Sequence, residues 1–486
     1  MARDESLEDG FARSAAYRRL KARPCRQVRE RTADDAGFPY SERHLQCVWV
    51  DGRYRPAGLQ SASGEAVVVE DPGRWNLEAG PDFLDAVLIV GTERRRVRGD
   101  VEIHVRAADW LDHGHADDPL YANLVAHVAF FPASLPAGAL PLSAVQISLK
   151  EGLAANPSFS FETLDVTAYP HATLPVEPPP CAGVLAAWPA ERKVALLESA
   201  GEERLRLKAL RLAAAVREHG SEQVLYEEIM AALGYKHNRA PFRQLARRLP
   251  LAALGEESGG DPLAAYALLL GVGGLIPGQV SAKWDAETRA FVRAVWDHWW
   301  KHQSAWERRS LPKTAWKTAN LRPQNHPLRR LAAAAGLFVG APTLATRLGT
   351  LSLTDAPRWL AAATALFEPE AAIPYWAWRL GRAGARRPTK EALIGRGRIA
   401  SFLTNVVLPY LAATGHAVAP LLTHLPAEED NSLIRQTAHA LFGRDHNPIL
   451  YAQGLRQQGL LQIFHDFCLS RTGCRECRLA AALRAS

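Results

Sequence analysis

Two short alternating runs, Phe83–Val90 and Val97–Val105, constrain this chain more than any other stretch. Apolar and β-branched residues at every second position read as strands. Gly91-Thr92-Glu93 lies between them and reads as a hairpin loop, with Gly91 supplying the turn's unusual φ. The first strand is entered through Pro81-Asp82, and the second carries Glu102-Ile103-His104. Alternation turns Glu102 and His104 to one face and Ile103 to the core. Asp82, on the neighbouring strand, then stands beside Glu102. Two carboxylates converging on one point repel unless a cation sits between them, and oxygen-only ligation suits Mg²⁺ or Mn²⁺. Asp82 and Glu102 are thus the candidate metal ligands.

The flanks extend the pattern. Ser41–Val50 reads as a helix with Ser41 as N-cap, Glu65–Glu70 as a strand, Asp118–Ala122 as a helical turn and Leu124–Phe131 as a further strand. An Asp after Pro, then Glu-x-Lys about twenty residues on, is the signature of the PD-(D/E)XK nuclease superfamily. Pro81-Asp82 and Glu102-Ile103-His104 resemble it, with His104 in the place of Lys. The order helix–strand–strand–strand–helix–strand also matches that superfamily's core. The resemblance implies a divalent-metal-dependent nuclease with Asp82, Glu102 and His104 as catalytic residues. His104 would orient the attacking water, accept its proton or contact the phosphate. Lys stays charged at neutral pH, whereas His titrates near it. Glu42, on the first helix, stands where some such nucleases place a further acidic ligand, although a helix-surface Glu is more often only solvated.

A second resemblance covers nearly the whole chain. The segments SERHLQCVWV, GPDF, GDVEIH, HGH followed by DD, LGYKHNRAPF and the C-terminal QGLLQIFHDFC with GC-x-x-C are similar to a bacterial family of unknown function. In that family the third motif position is itself His. The run Asp112–Asp118 (DHGHADD) resembles the HxHxDH zinc motif of metallo-β-lactamase-type hydrolases, with Asp118 where the last His would stand. Two readings stay open here. One is a zinc hydrolase built on His113, His115 and Asp117. The other is a loop that carries His113 and His115 to the carboxylate site, where they contact phosphate or position water. His127, inside an apolar strand, reads as a hydrogen-bonded core residue.

At 486 residues the chain is too long for one core. Residues 1–40 begin acidic and continue with Arg18, Arg19, Lys21, Arg23, Arg26, Arg29 and Arg31, which reads as a solvated, partly disordered basic arm. Residues 41–165 form the nuclease-like domain, 166–189 a Pro-rich linker, and 190–486 a helical region ending in a cysteine cluster. No run of eighteen apolar residues suggests a membrane span, and no apolar leader opens the chain, so a cytoplasmic protein is expected. The net charge of +7 mildly favours polyanion partners.

Beyond Glu191 apolar residues recur every three or four positions. The expected helices are Glu191–His219, Gln223–Leu233, Pro241–Leu249, Pro262–Gly271, Ala286–Lys301, Arg329–Leu337, Pro357–Phe367, Thr389–Gly395, Ile399–Leu411, Asn431–Phe442 and Pro448–Leu461. Gly255–Asp261 reads as a loop. Lys301, Arg308, Arg309, Lys313, Lys317 and Arg322, interleaved with Trp306 and Trp316, suit phosphate contact with base stacking, hence nucleic acid as partner. Arg379–Arg398 is similarly basic. The alternative for both is tryptophan anchors with a solvated charged rim. Near the end, Cys468, Cys474 and Cys477 can chelate Zn²⁺, or an iron–sulfur cluster if His465 or Cys181 supplies a fourth ligand; otherwise they are reduced thiols packing the last helix. The expectation is an α+β domain followed by an all-α region, acting as a nuclease on DNA or RNA. The alternatives are a non-catalytic nucleic-acid-binding or scaffold protein with a degenerate nuclease fold, and the zinc hydrolase.

Overall fold

A computed structural model describes residues 9–23, 38, 40–76, 80–156, 159–164, 166, 169, 178–319, 321–368, 372–428, 432–443, 445–469, 474 and 477–485. The chain divides into two compact units. One is built on a sheet (25–174 with 469–476) and one is helical (1–24, 175–468 and 477–486). No helix among the described residues is long and apolar enough to cross a membrane.

The sheet unit holds seven strands: β1 (Leu59–Gln60), β2 (Ala66–Asp71), β3 (Arg74–Trp75), β4 (Phe83–Val90), β5 (Arg95–His104), β6 (Leu124–Ala129) and β7 (Val145–Ser148). Their order is β1-β2-β4-β5-β6-β7, with β3 paired to β4. The β4–β5 hairpin pairs antiparallel, and its turn uses positive φ at Gly91 (74°) and at Arg94 (54°). β6 then lies parallel to β5, and β7 parallel to β6. The sheet curls far enough for Ser61, just past β1, to bridge Ile147 of β7, which makes it nearly a closed barrel.

β5 is buried from Gly99 to His104, and β6 along its whole length, as expected of a parallel pair covered on both faces. Close approach fixes where that pair begins. A side chain at Gly99 would drive its Cβ to 2.3 Å from the Asn123 carbonyl. Between β5 and β6 the crossover carries the short helix Asp109–Asp112 and two 3₁₀ turns, His115–Asp117 and Pro119–Tyr121. The helix Glu42–Val50 is capped by Ser41 and packs against β5, with Leu45, Val48 and Trp49 in the core.

Strands β1, β3 and β7 are additional to the expected order. β1 and β3 have two residues each, too short for alternation to register in the sequence.

The helical unit is organised around the long helix Ala190–His219. Gly454–Ile463 lies against it so closely that both contact points need glycine. A Cβ at Gly201 would meet the Leu455 carbonyl at 2.1 Å, and one at Gly459 the Leu197 carbonyl at 2.0 Å.

Several expectations are corrected. Part of the N-terminal arm is ordered: Ser14–Lys21 is a helix with Tyr17 and Leu20 buried, and Asp466 accepts from Tyr17 Oη at 3.0 Å and from Lys21 Nζ at 2.7 Å. Arg26, Arg29 and Arg31 lie outside the described residues. Within the Pro-rich segment, Pro180–Ala186 is helical and buries Cys181, Ala182 and Leu185. Leu251–Ser258 is a helix where a loop was expected from residue 255, because the apolar run before it carries the helix forward. No helix forms over 389–395. Glu391 N–H bonds instead to the Ala377 carbonyl, and Arg329 takes the carbonyls of Glu391 and Ala392. Tyr235–Arg248 is two helical segments joined across a kink at Asn238, and Pro241 stands in the first turn of the second, close to where a helix start was expected. Pro409 follows a π-helical stretch, Leu403–Val407.

Candidate functional site

Pairing of Phe83 with Val101 brings the start of β4 against the end of β5. Asp82, Glu102 and His104 are thereby gathered, with 0 %, 3 % and 1 % of their surface exposed. The two carboxylates are held by different groups. Asp82 Oδ1 accepts from Gln46 Nε2 at 2.7 Å, and Oδ2 accepts from the Ile103 backbone N–H at 2.9 Å. Arg43, stacked over the Trp75 ring at 4.0 Å, feels the Asp82 charge. Both Arg43 and Gln46 come from the helix Glu42–Val50, three residues apart on one face. Glu102 Oε2 accepts from the Asp82 backbone N–H at 2.9 Å. Its other oxygen faces imidazoles: Oε1 lies 3.6 Å from His104 Nε2 and 3.5 Å from His115 Nε2.

The crossover supplies the rest. His104, His113 and His115 each present a ring nitrogen, and these atoms lie within 4.8 Å of one another. Trp110 and Tyr121 shape the pocket. The Trp110 ring lies 5.4 Å from that of His115 and 5.5 Å from that of His127, and the Tyr121 ring 4.2 Å from that of His115. Trp110 is fixed by its indole N–H, which donates to the Ala139 carbonyl at 2.8 Å. Behind the cluster, His127 Nε2 is 3.0 Å from His104 Nδ1. His113 is exposed and His115 half-buried, so the cluster is closed on the sheet side and open on the loop side.

Chemistry follows from this donor set. Zn–N bonds are about 2.0–2.1 Å, which puts neighbouring ligands of a tetrahedral ion about 3.4 Å apart. The Glu102–His104 and Glu102–His115 separations of 3.6 and 3.5 Å fit one ion with small side-chain adjustment. Imidazoles beside a carboxylate suit Zn²⁺, Mn²⁺, Fe²⁺ or Ni²⁺ better than Mg²⁺, which prefers oxygen. A His that ligates through Nε2 carries its proton on Nδ1 and donates it to an outer partner. His127 Nε2 is placed to accept it.

Burial, and then the neighbouring His115, pushes His127 down to about 4. The unfolded chain therefore takes up a proton at His127 below about 6.5 that the folded one resists. Its stabilising contribution is complete above that pH and is lost as pH falls toward about 4. Chelator-treated protein should lose about 3 kcal/mol of stability across that window relative to His127→Phe, read from urea unfolding at several pH values.

The sequence expectations sort unevenly. Asp82, Glu102 and His104 meet as expected, and His113 and His115 join them. His127 is the hydrogen-bonded core residue expected. Glu42 sits half-buried in the first turn of its helix, while Gln46, one turn on, is the residue that reaches Asp82. The Asp117 side chain lies outside the described residues. Arg43, Gln46, Trp110 and Tyr121 were missed. The only signal was two polar residues, Arg43 and Gln46, on the buried face of an amphipathic helix.

In the helical unit, Lys301, Arg308, Arg309, Lys313, Lys317 and Arg322 are all exposed. Trp306 and Trp316 are not stacking platforms. Both are buried, and their indoles donate to Glu257 and to the Gly273 carbonyl. Within Arg379–Arg398, Arg379 pairs with Asp285 and Glu287, Arg387 with Glu391, and Arg396 with Glu368. Cys468 and Cys477 belong to the helical unit and Cys474 to the stretch grouped with the sheet unit. Burial pushes the Cys477 thiol up, and its sulfur lies 3.8 Å from the Phe467 carbonyl.

Comparison with known proteins gives one match. A family model described as a protein of unknown function (DUF2851) matches residues 42–422. No curated protein and no solved structure matches.

Proposed function

The chain belongs to the DUF2851 family, whose description assigns no chemistry, and from the site itself we propose a divalent-metal-dependent hydrolase of phosphodiesters. One observation carries the reading: Glu102 Oε1 lies within 3.6 Å of both His104 Nε2 and His115 Nε2. His104 and His115 would hold the ion with Glu102, and His113, whose ring nitrogen lies within 4.8 Å of those of the other two histidines, would add a fourth donor. The substrate class follows from the nuclease resemblance of Pro81-Asp82 and Glu102-Ile103-His104, and it is supported by a sheet in which β2, β4 and β5 run antiparallel and β6 returns parallel to β5.

A bound ion would polarise the phosphoryl oxygen and lower the pKa of its water. The remaining roles fall to the chain. His127 keeps the His104 proton on Nδ1 and its Nε2 turned to Glu102. Asp82 is a positioning residue: by gripping the Ile103 N–H it holds β5 where Glu102 and His104 converge.

The test is to strip the protein with chelator and reload it with Zn²⁺, Mn²⁺, Co²⁺, Ni²⁺ or Mg²⁺. Turnover is followed on bis(p-nitrophenyl) phosphate and on labelled DNA and RNA. A transition metal at about one equivalent should restore activity where Mg²⁺ does not. Full activity with Mg²⁺ alone would overturn the His-ligated centre. A second reading, a structural ion in a non-catalytic scaffold, is favoured by the burial of Glu102 and His104. Tight metal uptake that raises the melting temperature without any turnover would establish it instead.

A further inference from the structure

The helical unit carries a second feature that the hydrolase reading does not use. From Arg308 to Thr354 the sequence contains no Asp or Glu. The start of this stretch has neither strand nor long helix, only three 3₁₀ turns: Glu307–Arg309, Lys313–Ala315 and Pro323–Asn325. Its backbone is nevertheless pinned from Arg309 to Lys317. Leu311 N–H donates to the Val272 carbonyl at 2.7 Å, and Ser310 Oγ to that of Gly271 at 2.9 Å. Arg248 holds the carbonyls of Arg309 and Ser310 at 3.0 and 2.8 Å. Asn238 clamps Lys317 from both sides, accepting its N–H at 2.8 Å and donating to its carbonyl at 2.9 Å. That clamp gives the LGYKHNRAPF segment a physical task.

The apolar side chains of the loop point inward: Leu311 is 3 % and Trp316 6 % exposed. What faces water is Arg308, Arg309, Lys313, Lys317 and Arg322. None of these has a carboxylate partner among the described residues, whereas Arg379, Arg387 and Arg396 are all paired. A pinned loop whose cations have no carboxylate partner among the described residues, with Arg309 over the Trp306 ring at 5.0 Å, presents them to solvent. We propose that this loop is a docking surface for the phosphate backbone of nucleic acid.

The proposal rests on the phosphodiester reading above, yet its test does not need turnover. A linear polyanion suits cations strung along an irregular, fixed backbone. A lipid surface suits them less, because Leu311 and Trp316 are turned inward and leave no large apolar side chain to enter the acyl layer. With the indoles of Trp306 and Trp316 engaged inside the unit, recognition is by charge and not by base stacking, and so tolerates any sequence.

The experiment is fluorescence anisotropy of the full-length protein with labelled mixed-sequence duplex and single-stranded oligonucleotides, with chelator present throughout. Four phosphate contacts predict a weakening of about 50- to 150-fold between 50 and 200 mM salt. Joint replacement Arg308→Gln, Lys313→Gln, Lys317→Gln and Arg322→Gln should flatten the log–log salt slope by about three. The charge-keeping set Arg308→Lys, Lys313→Arg, Lys317→Arg and Arg322→Lys should retain it, which separates charge from folding. An unchanged slope in the neutralised variant overturns the proposal. So does binding only to phosphatidylserine vesicles or polyglutamate, with none to oligonucleotides. If no ion yields turnover but the slope and its loss are as stated, the surface stands and the hydrolase reading falls.

Discussion

His115→Ala is expected to abolish both metal retention and hydrolysis while leaving the metal-free fold intact. The side chain sits on the crossover, half-buried, with Nε2 3.5 Å from Glu102 Oε1. It stands on a 3₁₀ turn of the crossover and not on a strand, so its removal leaves the backbone pairing of the sheet untouched. Losing one of four ligands should reduce bound Zn²⁺ or Mn²⁺ from about one per chain to about a tenth or less. Turnover should fall about a thousandfold, equivalent to about 4 kcal/mol of transition-state stabilisation. Elemental analysis after dialysis reads the first effect and steady-state rates the second. Melting of the chelator-treated variant should match that of chelator-treated wild type. Unaltered metal content and rate would remove His115 from the centre and the present reading with it.

Asp82→Ala should act through the other arm of the site, on stability. The Asp82 carboxylate is fully buried and accepts from Gln46 Nε2 and from the Ile103 N–H. Truncation strands both donors and leaves Arg43 without the charge it faces. Breaking a buried, hydrogen-bonded charge of this kind costs about 3–5 kcal/mol. Asp82→Asn keeps an acceptor for the Ile103 N–H and should lose less. The pair separates two roles. If Asp82 positions β5, metal stoichiometry in both variants stays near that of wild type at temperatures where they remain folded. If it is itself a ligand, Asp82→Asn loses the ion while keeping most of its stability. Urea unfolding combined with metal analysis distinguishes them.

The legible part of the fold was whatever repeats locally. Alternation found β4 to the residue and β5 to within two at its start, and three-to-four spacing found most of the long helices. Strand alternation also put Glu102 and His104 on one face, and the entry through Pro81 set Asp82 beside them. Illegible were features decided by partners distant in the chain. The sequence cannot tell that Asp82 accepts from Gln46 Nε2 and the Ile103 N–H. The loop expected to carry His113 and His115 to the carboxylate site does so, with His115 Nε2 3.5 Å from Glu102 Oε1, but its distances could not be read from the sequence. In the helical unit, Arg329 is buried on backbone carbonyls and Arg379 on two carboxylates, while Lys313 and Lys317 stay in water. Basic residues look alike in a string of letters, and only packing sorts structural guanidinium from surface charge.

The bare position at Gly99 also has a bearing on chemistry. It lets β5 and β6 approach at one register, in which Glu102 pairs with His127 and His104 with Ala129. A slip of one residue would exchange the faces of the strand, sending Ile103 to the cluster and Glu102 with His104 into the apolar layer. Which donors face one another across the cluster thus depends on a missing methyl group three residues from Glu102. Alignment of two strands acts here as a tuning element: under the proposed reading, the set of groups offered to an ion is written in the backbone before any side chain enters it.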